Sequence, residues 1–205
     1  EMVEKGVEYC VMEVSSHSLA LDRVYGVKFE CGIFTNLTRD HLDFHKTFEN
    51  YYDAKFKLFE RSCIKVINVD DNYGIQVLKD CQKLNAENIY SFSVKSDSDY
   101  KAYDELMGSR DIKFKVVLDE EEEFILGIPG EYNIYNALGA IGVCHKMGIA
   151  IEAIKEGIEN ALVPGRCERV GKEYNLPYEI IIDYAHTPDG LENILKTAKA
   201  FTKGK

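Results

Sequence analysis

Apolar runs of strand length recur along the first part of the chain, and each ends on polar residues. Tyr9–Val14 (YCVMEV) leads into Ser15, Ser16 and His17. Cys31–Phe34 (CGIF) leads into Thr35 and Asn36, and Ile64–Val69 (IKVINV) into Asp70, Asp71 and Asn72. Short continuous apolar runs bounded in this way suit strands buried on both faces. Between them, residues 49–60 and 73–84 repeat their apolar positions at helical spacing. Strands alternating with helices predict an α/β fold with a mostly parallel, doubly wound sheet. Ligands of such sheets sit beyond the carboxyl ends of the strands. By that rule Glu13 and Asn36 are candidate site residues, the alternative being ordinary solvated loop residues.

From Ile89 the texture changes. IYSFSV, YKAYDEL, DIKFKVVLD and EEFILGI are alternating or β-rich runs between charged turns, which predicts a small antiparallel addition of three or four strands. The acidic run Asp119–Glu123 reads as a hairpin tip or loop. A Pro129–Gly130 turn leads into a small-residue helix starting near Tyr132, and a second helix covers about 151–161. Leu162–Arg169 (LVPGRCER) is the best boundary, dividing the chain into 1–163 and 164–205. Beyond it, Tyr178–Ile182 (YEIII) reads as a buried strand. Thr187 then caps a helix with Pro188 at its first position and Asp189 in its first turn, the start of a second α/β domain.

Composition narrows the function classes. A chain of 205 residues, 45% of them hydrophobic, supports a full core and more than one domain. A net charge of −10 argues against a nucleic-acid surface, which needs clustered Lys and Arg. No apolar run approaches the ~18 residues needed to enter and span a membrane. The six cysteines (10, 31, 63, 81, 144, 167) form no CxxC pair and read as reduced thiols of a cytoplasmic protein, several buried in strands.

The densest chemistry lies in Thr35–Phe59, where Asn36, Asp40, His41, Asp43 and His45 precede a helix. Lys55 falls inside that helix's apolar stripe of Tyr51, Tyr52, Phe56, Leu58 and Phe59. Burial disfavours the ammonium and leaves a neutral, nucleophilic amine. Such an amine can take up carbon dioxide and become a carbamate, an anionic oxygen ligand. The alternative is a lysine that snorkels to water. The Asp40-His41-Asp43-His45 cluster also suits a metal-dependent hydrolase. Asn133 and Asn136, one turn apart, either cap their helix or read the edge of a base. His17 and His45 read as loop hydrogen-bonding residues.

The blocks VMEVSSHSLALDRV, FTNLTRDHLDFH, YYDAKFKLF, PGEYNIYNALGA, VPGR and IIDYAHTPDGLENIL together resemble the Mur ligases. The likeness is nearest to their MurE (UDP-N-acetylmuramoyl-tripeptide synthetase) type. It implies a cytoplasmic enzyme of peptidoglycan synthesis that uses ATP and Mg2+. Such an enzyme adds a diamino acid, L-lysine or meso-diaminopimelate, to UDP-MurNAc-L-Ala-D-Glu through an acyl phosphate. The resemblance assigns Glu13 and His41 to magnesium, with Lys55, 14 positions after His41, as the third ligand in carbamate form. It assigns Ser15 and Arg23, with Ser16 and Asn36 beside them, to the muramoyl dipeptide, and Leu21 stands where the family usually has glutamine. Asn136, with Asn133, faces adenine, while Arg166, Asp183 and His186 complete the nucleotide side. No G-x-x-x-x-G-K-[ST] loop occurs in these 205 residues. The resemblance puts that loop ahead of Glu1 and the segment that selects the amino acid beyond Lys205, so the expectation is little or no ligase activity from this stretch alone. A truncated, non-catalytic binding module of the same family is the other reading.

Overall fold

The computed structural model describes residues 1–108, 111–171, 174 and 176–202. Strands β1 (Phe29–Phe34), β2 (Ser62–Asn68), β3 (Ile89–Ser93), β4 (Tyr100–Met107), β5 (Ile112–Val117) and β6 (Glu121–Leu126) form one sheet in chain order. Pairing is parallel from β1 to β4 and antiparallel from β4 to β6. Short α1 (Ser16–Ala20) and α2 (Leu42–His45) precede α3 (Phe48–Glu60), which links β1 to β2; α4 (Asn72–Lys83) links β2 to β3. Both lie on one face, over a core of Phe34, Leu37, Tyr51, Phe59, Ile67 and Val77. Helices α5 (Glu131–Lys146) and α6 (Ile151–Glu159) cover the other face, over a core that includes Val66, Phe92, Phe114, Ile134 and Ile141.

Successive strand residues point to opposite faces. Val66 and Ile67 are neighbours, both 0% exposed, and each belongs to a different core. A continuous apolar run in β2 is the sequence mark of a sheet covered on both sides.

Three expectations need correction. Tyr9–Val14 forms no ladder among the described residues and stands exposed, Val11 at 98%. β-propensity and apolarity describe a segment fit for a sheet, but the strand exists only through its partners. IYSFSV does not belong to the antiparallel addition, because β3 pairs parallel with β2 and β4 parallel with β3. Alternation marks a strand and leaves its direction open. The connection at 94–99 is far shorter than a usual parallel crossover because the pair overlaps only at Phe92–Tyr100 and Ser93–Lys101. Asp99 clamps that loop by accepting from both Ser91 N and Ser91 Oγ at 2.7 Å. The buried cysteines are Cys81, on α4, and Cys167, in the segment after α6, and neither lies in a strand. All six cysteines are free thiols.

The acidic run turns the β5–β6 hairpin and continues into β6, where Glu121 pairs with Lys115 and Glu122 with Lys155. After α6 the chain passes through residues 160–167 into a separate two-stranded antiparallel sheet of β7 (Glu168–Val170) and β8 (Ile180–Ile182). β8 is shorter and more exposed than YEIII predicts, since two strands cannot cover both faces of a third layer. Helix α7 (Pro188–Phe201) follows, with Thr187 accepting from Gly190 N at 3.2 Å as its cap.

Candidate active site

Helix α3 presents Tyr51, Ala54 and Phe59 to the core, and the same turn carries Lys55, half-buried, with Nζ 5.5 Å from the Tyr51 ring centroid. Burial lowers the Lys55 pKa from the usual lysine value; the carboxylates of Asp71, Glu13 and Asp40 pull it back up, but burial prevails. Glu13 and Lys55, matched from distant parts of the sequence, therefore share one electrostatic neighbourhood. Asp71 joins them. It was passed over in the sequence, although it ends the β2 run as Glu13 ends the Tyr9 run.

His41 occupies the N-cap position of α2 in a left-handed conformation, φ 54°. Its N–H donates to Asp40 Oδ1 at 2.7 Å, and its Nδ1 lies 3.4 Å from the same oxygen. The His41 ring stands 4.9 Å from the His17 ring and 6.1 Å from Tyr51. His45 turns inward: it is buried, its Nε2 is 2.9 Å from Ser16 Oγ, and its ring stacks on Tyr51 at 4.9 Å. Burial first, then the neighbouring His17 and His41, hold its pKa below the usual imidazole value. His45 thus acts as a hydrogen-bonding residue, as the sequence suggests. The hydrolase reading loses a ligand with it, and among the described residues no three His, Cys, Asp or Glu side chains gather into a metal-binding group, around His41 and Glu13 included.

The muramoyl-dipeptide candidates fall in different settings. Ser15 caps α1, accepting from Ser18 N at 3.2 Å, and Ser16 is buried against His45. Arg23 is exposed beyond α1. Asn36, exposed after β1, borders a cavity of about 480 Å³ beyond the carboxyl ends of β1 and β2. Asn68, Asp70, Asp71 and Tyr135 line its near side, and Lys196 and Thr197 of α7 line its far side.

The nucleotide candidates divide between α5 and the segments flanking β7 and β8. Asn133 is buried and donates from Nδ2 to Pro129 O at 2.8 Å; Asn136 Nδ2 donates to Asn133 Oδ1 at 3.1 Å. Neither side chain caps the helix. The N-cap is Gly130, without a side-chain bond, so capping gives way to an amide relay. Asp183 uses both oxygens, Oδ2 accepting from Cys167 N at 2.7 Å and Oδ1 from Ala185 N at 2.8 Å. The Arg166 guanidinium lies 5.0 Å from the Tyr184 ring, and His186 Nδ1 is 2.9 Å from Tyr184 O. Tyr132 of α5 bridges the two sets: burial foremost, then Cys167 and Asp183, push its hydroxyl up to about 12. Arg166 and Cys167 also line a second cavity of about 330 Å³ against Pro129.

Comparison with known proteins agrees with these blocks. Residues 1–144 match the family described as the Mur ligase middle domain. The UDP-N-acetylmuramoyl-L-alanyl-D-glutamate–2,6-diaminopimelate ligases of Clostridium perfringens and Clostridium tetani are 62% and 56% identical over 100% of the chain, which spans 42% of each. A solved structure bearing the same ligase name matches with a TM-score of 0.82 at 29% identity, over 96% of this chain and 41% of that one. With its middle-domain match over 1–144 and its six-stranded α/β sheet, the chain belongs to the Mur ligase family.

Proposed function

We propose that this chain carries the central chemistry of a cytoplasmic, ATP-dependent amide ligase. The full protein would join the amine of 2,6-diaminopimelate to the D-glutamate carboxylate of UDP-MurNAc-L-Ala-D-Glu. The names of the curated relatives favour diaminopimelate over L-lysine. No helix among the described residues is long and apolar enough to cross a membrane. In this reading residues 1–163 belong to the central domain and 164–205 begin the next.

The observation that carries the reading is Lys55 on α3, half-buried with its Nζ 5.5 Å from the Tyr51 ring, where burial lowers its pKa against the opposing pull of Asp71, Glu13 and Asp40. A neutral amine adds to carbon dioxide, losing a proton, to give a carbamate that supplies oxygen where the site lacks a third hard ligand. Glu13, His41 and carbamylated Lys55 then fit magnesium, a hard cation that takes oxygen ligands and an occasional imidazole. When bound, that ion would neutralise charge on phosphate oxygens during acyl-phosphate formation. Asp40 orients the His41 ring, and Asp71 adds a carboxylate within electrostatic reach of Lys55. Asn136, held by Asn133, would read the base, Arg166, Asp183 and His186 would hold the rest of the nucleotide, and Ser15, Arg23 and Asn36 would serve the dipeptide side, with Ser16 buried behind them on His45.

The test is tripeptide formation by the full-length protein with ATP and diaminopimelate, beside its Lys55→Ala variant. Diaminopimelate-dependent turnover that falls on the order of 10²-fold or more in the variant supports the reading. A full-length protein that forms no product with either diamino acid would favour the binding-module alternative.

A further inference from the structure

Asp70 follows β2 and borders the large cavity, yet its carboxylate is fully engaged by the protein. Oδ1 accepts from Ser93 Oγ at 2.6 Å and Ser96 Oγ at 2.8 Å. Oδ2 accepts from Val94 N and Lys95 N, both at 2.9 Å, and from Tyr135 Oη at 3.1 Å. A carboxylate offers about four lone-pair sites, so these donors saturate it. Little capacity remains for a substrate or an ion, and its task is to hold other groups in place.

The donors come from two places, the end of β3 with the loop that follows it and helix α5. That helix has Gly130, φ 109°, at its N-cap, with no side chain capping its first amides. Ile134 seats its first turn in the core, and a polar tie to the sheet adds to that packing. Tyr135 makes that tie from one flank. Asn136, the next residue, projects about 100° further round the helix. One Asn136 N–H is held by Asn133, which is held in turn by Pro129 O, and this directs the remainder of the exposed Asn136 amide outward. An asparagine amide offers the paired acceptor and donor that an adenine edge needs.

We infer that Asp70 and Tyr135 are positioning residues for the nucleotide: by accepting the Tyr135 hydroxyl, Asp70 ties down the flank of α5 beside Asn136 and with it the direction of the Asn136 amide. The inference rests on the reading of Asn136 as the base-facing residue. It extends the site to two side chains that do not touch the base.

The experiment uses the full-length ligase and steady-state kinetics with ATP and with the UDP-muramoyl dipeptide. Tyr135→Phe is the working variant, because it removes one bond and leaves Ser93, Ser96 and the backbone donors on Asp70. The expected result is a KM for ATP raised about tenfold, with a much smaller change in kcat and in the KM for the dipeptide. Asn136→Ala is expected to raise the ATP KM at least as much. The double variant should be no worse than Asn136→Ala alone, since Tyr135 acts through that amide. If Asn136→Ala raises the ATP KM and Tyr135→Phe leaves it within about twofold of the parent, the positioning role is overturned while the nucleotide assignment stands. Effects that multiply in the double variant also overturn it. An unchanged ATP KM in Asn136→Ala removes the assignment itself and the inference with it. Urea midpoints of each variant establish that the compared proteins are folded.

Discussion

Asp71 lies within electrostatic reach of Lys55, and of the three carboxylates around that lysine it acts most strongly. The effect is mutual but unequal: burial raises the Asp71 pKa, and its backbone hydrogen bonds first, then Lys55, pull it back only in part. Asp71 is also an organiser. Its Oδ1 accepts from Tyr73 N and Gly74 N at the start of α4, and its Oδ2 accepts from Leu37 N at 3.4 Å. One side chain thus caps a helix, holds the loop after β1 and faces the lysine on α3.

Those roles separate by substitution. Asp71→Ala removes the cap and should cost about 1–2 kcal/mol. Asp71→Asn keeps a good capping group and should cost roughly 0.5 kcal/mol or less, but it removes the charge facing Lys55. Turnover of the full-length ligase should fall in both variants, with urea midpoints showing a clear loss only in the alanine variant. Parental turnover in Asp71→Asn would mean that its charge is not used.

Lys55 should carry carbon dioxide in the full-length protein. Carbon-13 bicarbonate is expected to give a carbamate resonance that is absent from Lys55→Ala and weakened by chelating magnesium. A spectrum identical in the two proteins would leave Lys55 a plain amine.

Asp70 makes stability depend on acid. Its hydrogen bonds outweigh burial and hold its pKa well below the ordinary 3.8. With the folded value depressed, the stabilisation is present above about pH 4 and is lost as the pH falls through and below the normal carboxylate range. Asp70→Asn should therefore be about 2–3 kcal/mol less stable than the parent at neutral pH. The gap in urea midpoint should narrow steadily in acid. A gap that stays constant would show that the charge contributes nothing.

Gly74 permits the close seating of α4 on the end of β2. A Cβ there would come 1.8 Å from Asn68 O, a backbone atom that cannot step aside. Gly74→Ala should cost about 3 kcal/mol, read from the urea midpoint.

How much of this was legible in the sequence depended on whether a feature is local. Thr187 and Pro188 announced α7 because capping and a fixed proline φ act within one turn, and the stripe around Lys55 gave α3 nearly to the residue. The direction of β3 was not legible, since Ile89–Ser93 pairs with β2 through atoms distant in the chain. Tyr9–Val14 failed for the same reason, having every property of a strand except a partner. At the site, the strand-end rule reached Glu13 and Asn36 and applied equally to Asp70 and Asp71. Nothing in the DD pair itself says that one acid turns to Lys55 and the next to Tyr135. Ser16 was matched as a substrate contact, but its hydroxyl lies buried on His45, a pairing across the fold that no spacing displays.

Gly130 lines the large cavity where the start of α5 approaches α7. A methyl group at that position would lie 2.9 Å from Thr197 Oγ1 and 2.8 Å from the Tyr132 ring. Helix α7 is therefore fitted to the start of α5 with a hydrogen atom as the only spacer. Any larger residue would press on the Thr197 hydroxyl and the Tyr132 ring and would strain a backbone whose φ of 109° suits glycine, so the close approach of α7 to α5 depends on the smallest side chain available.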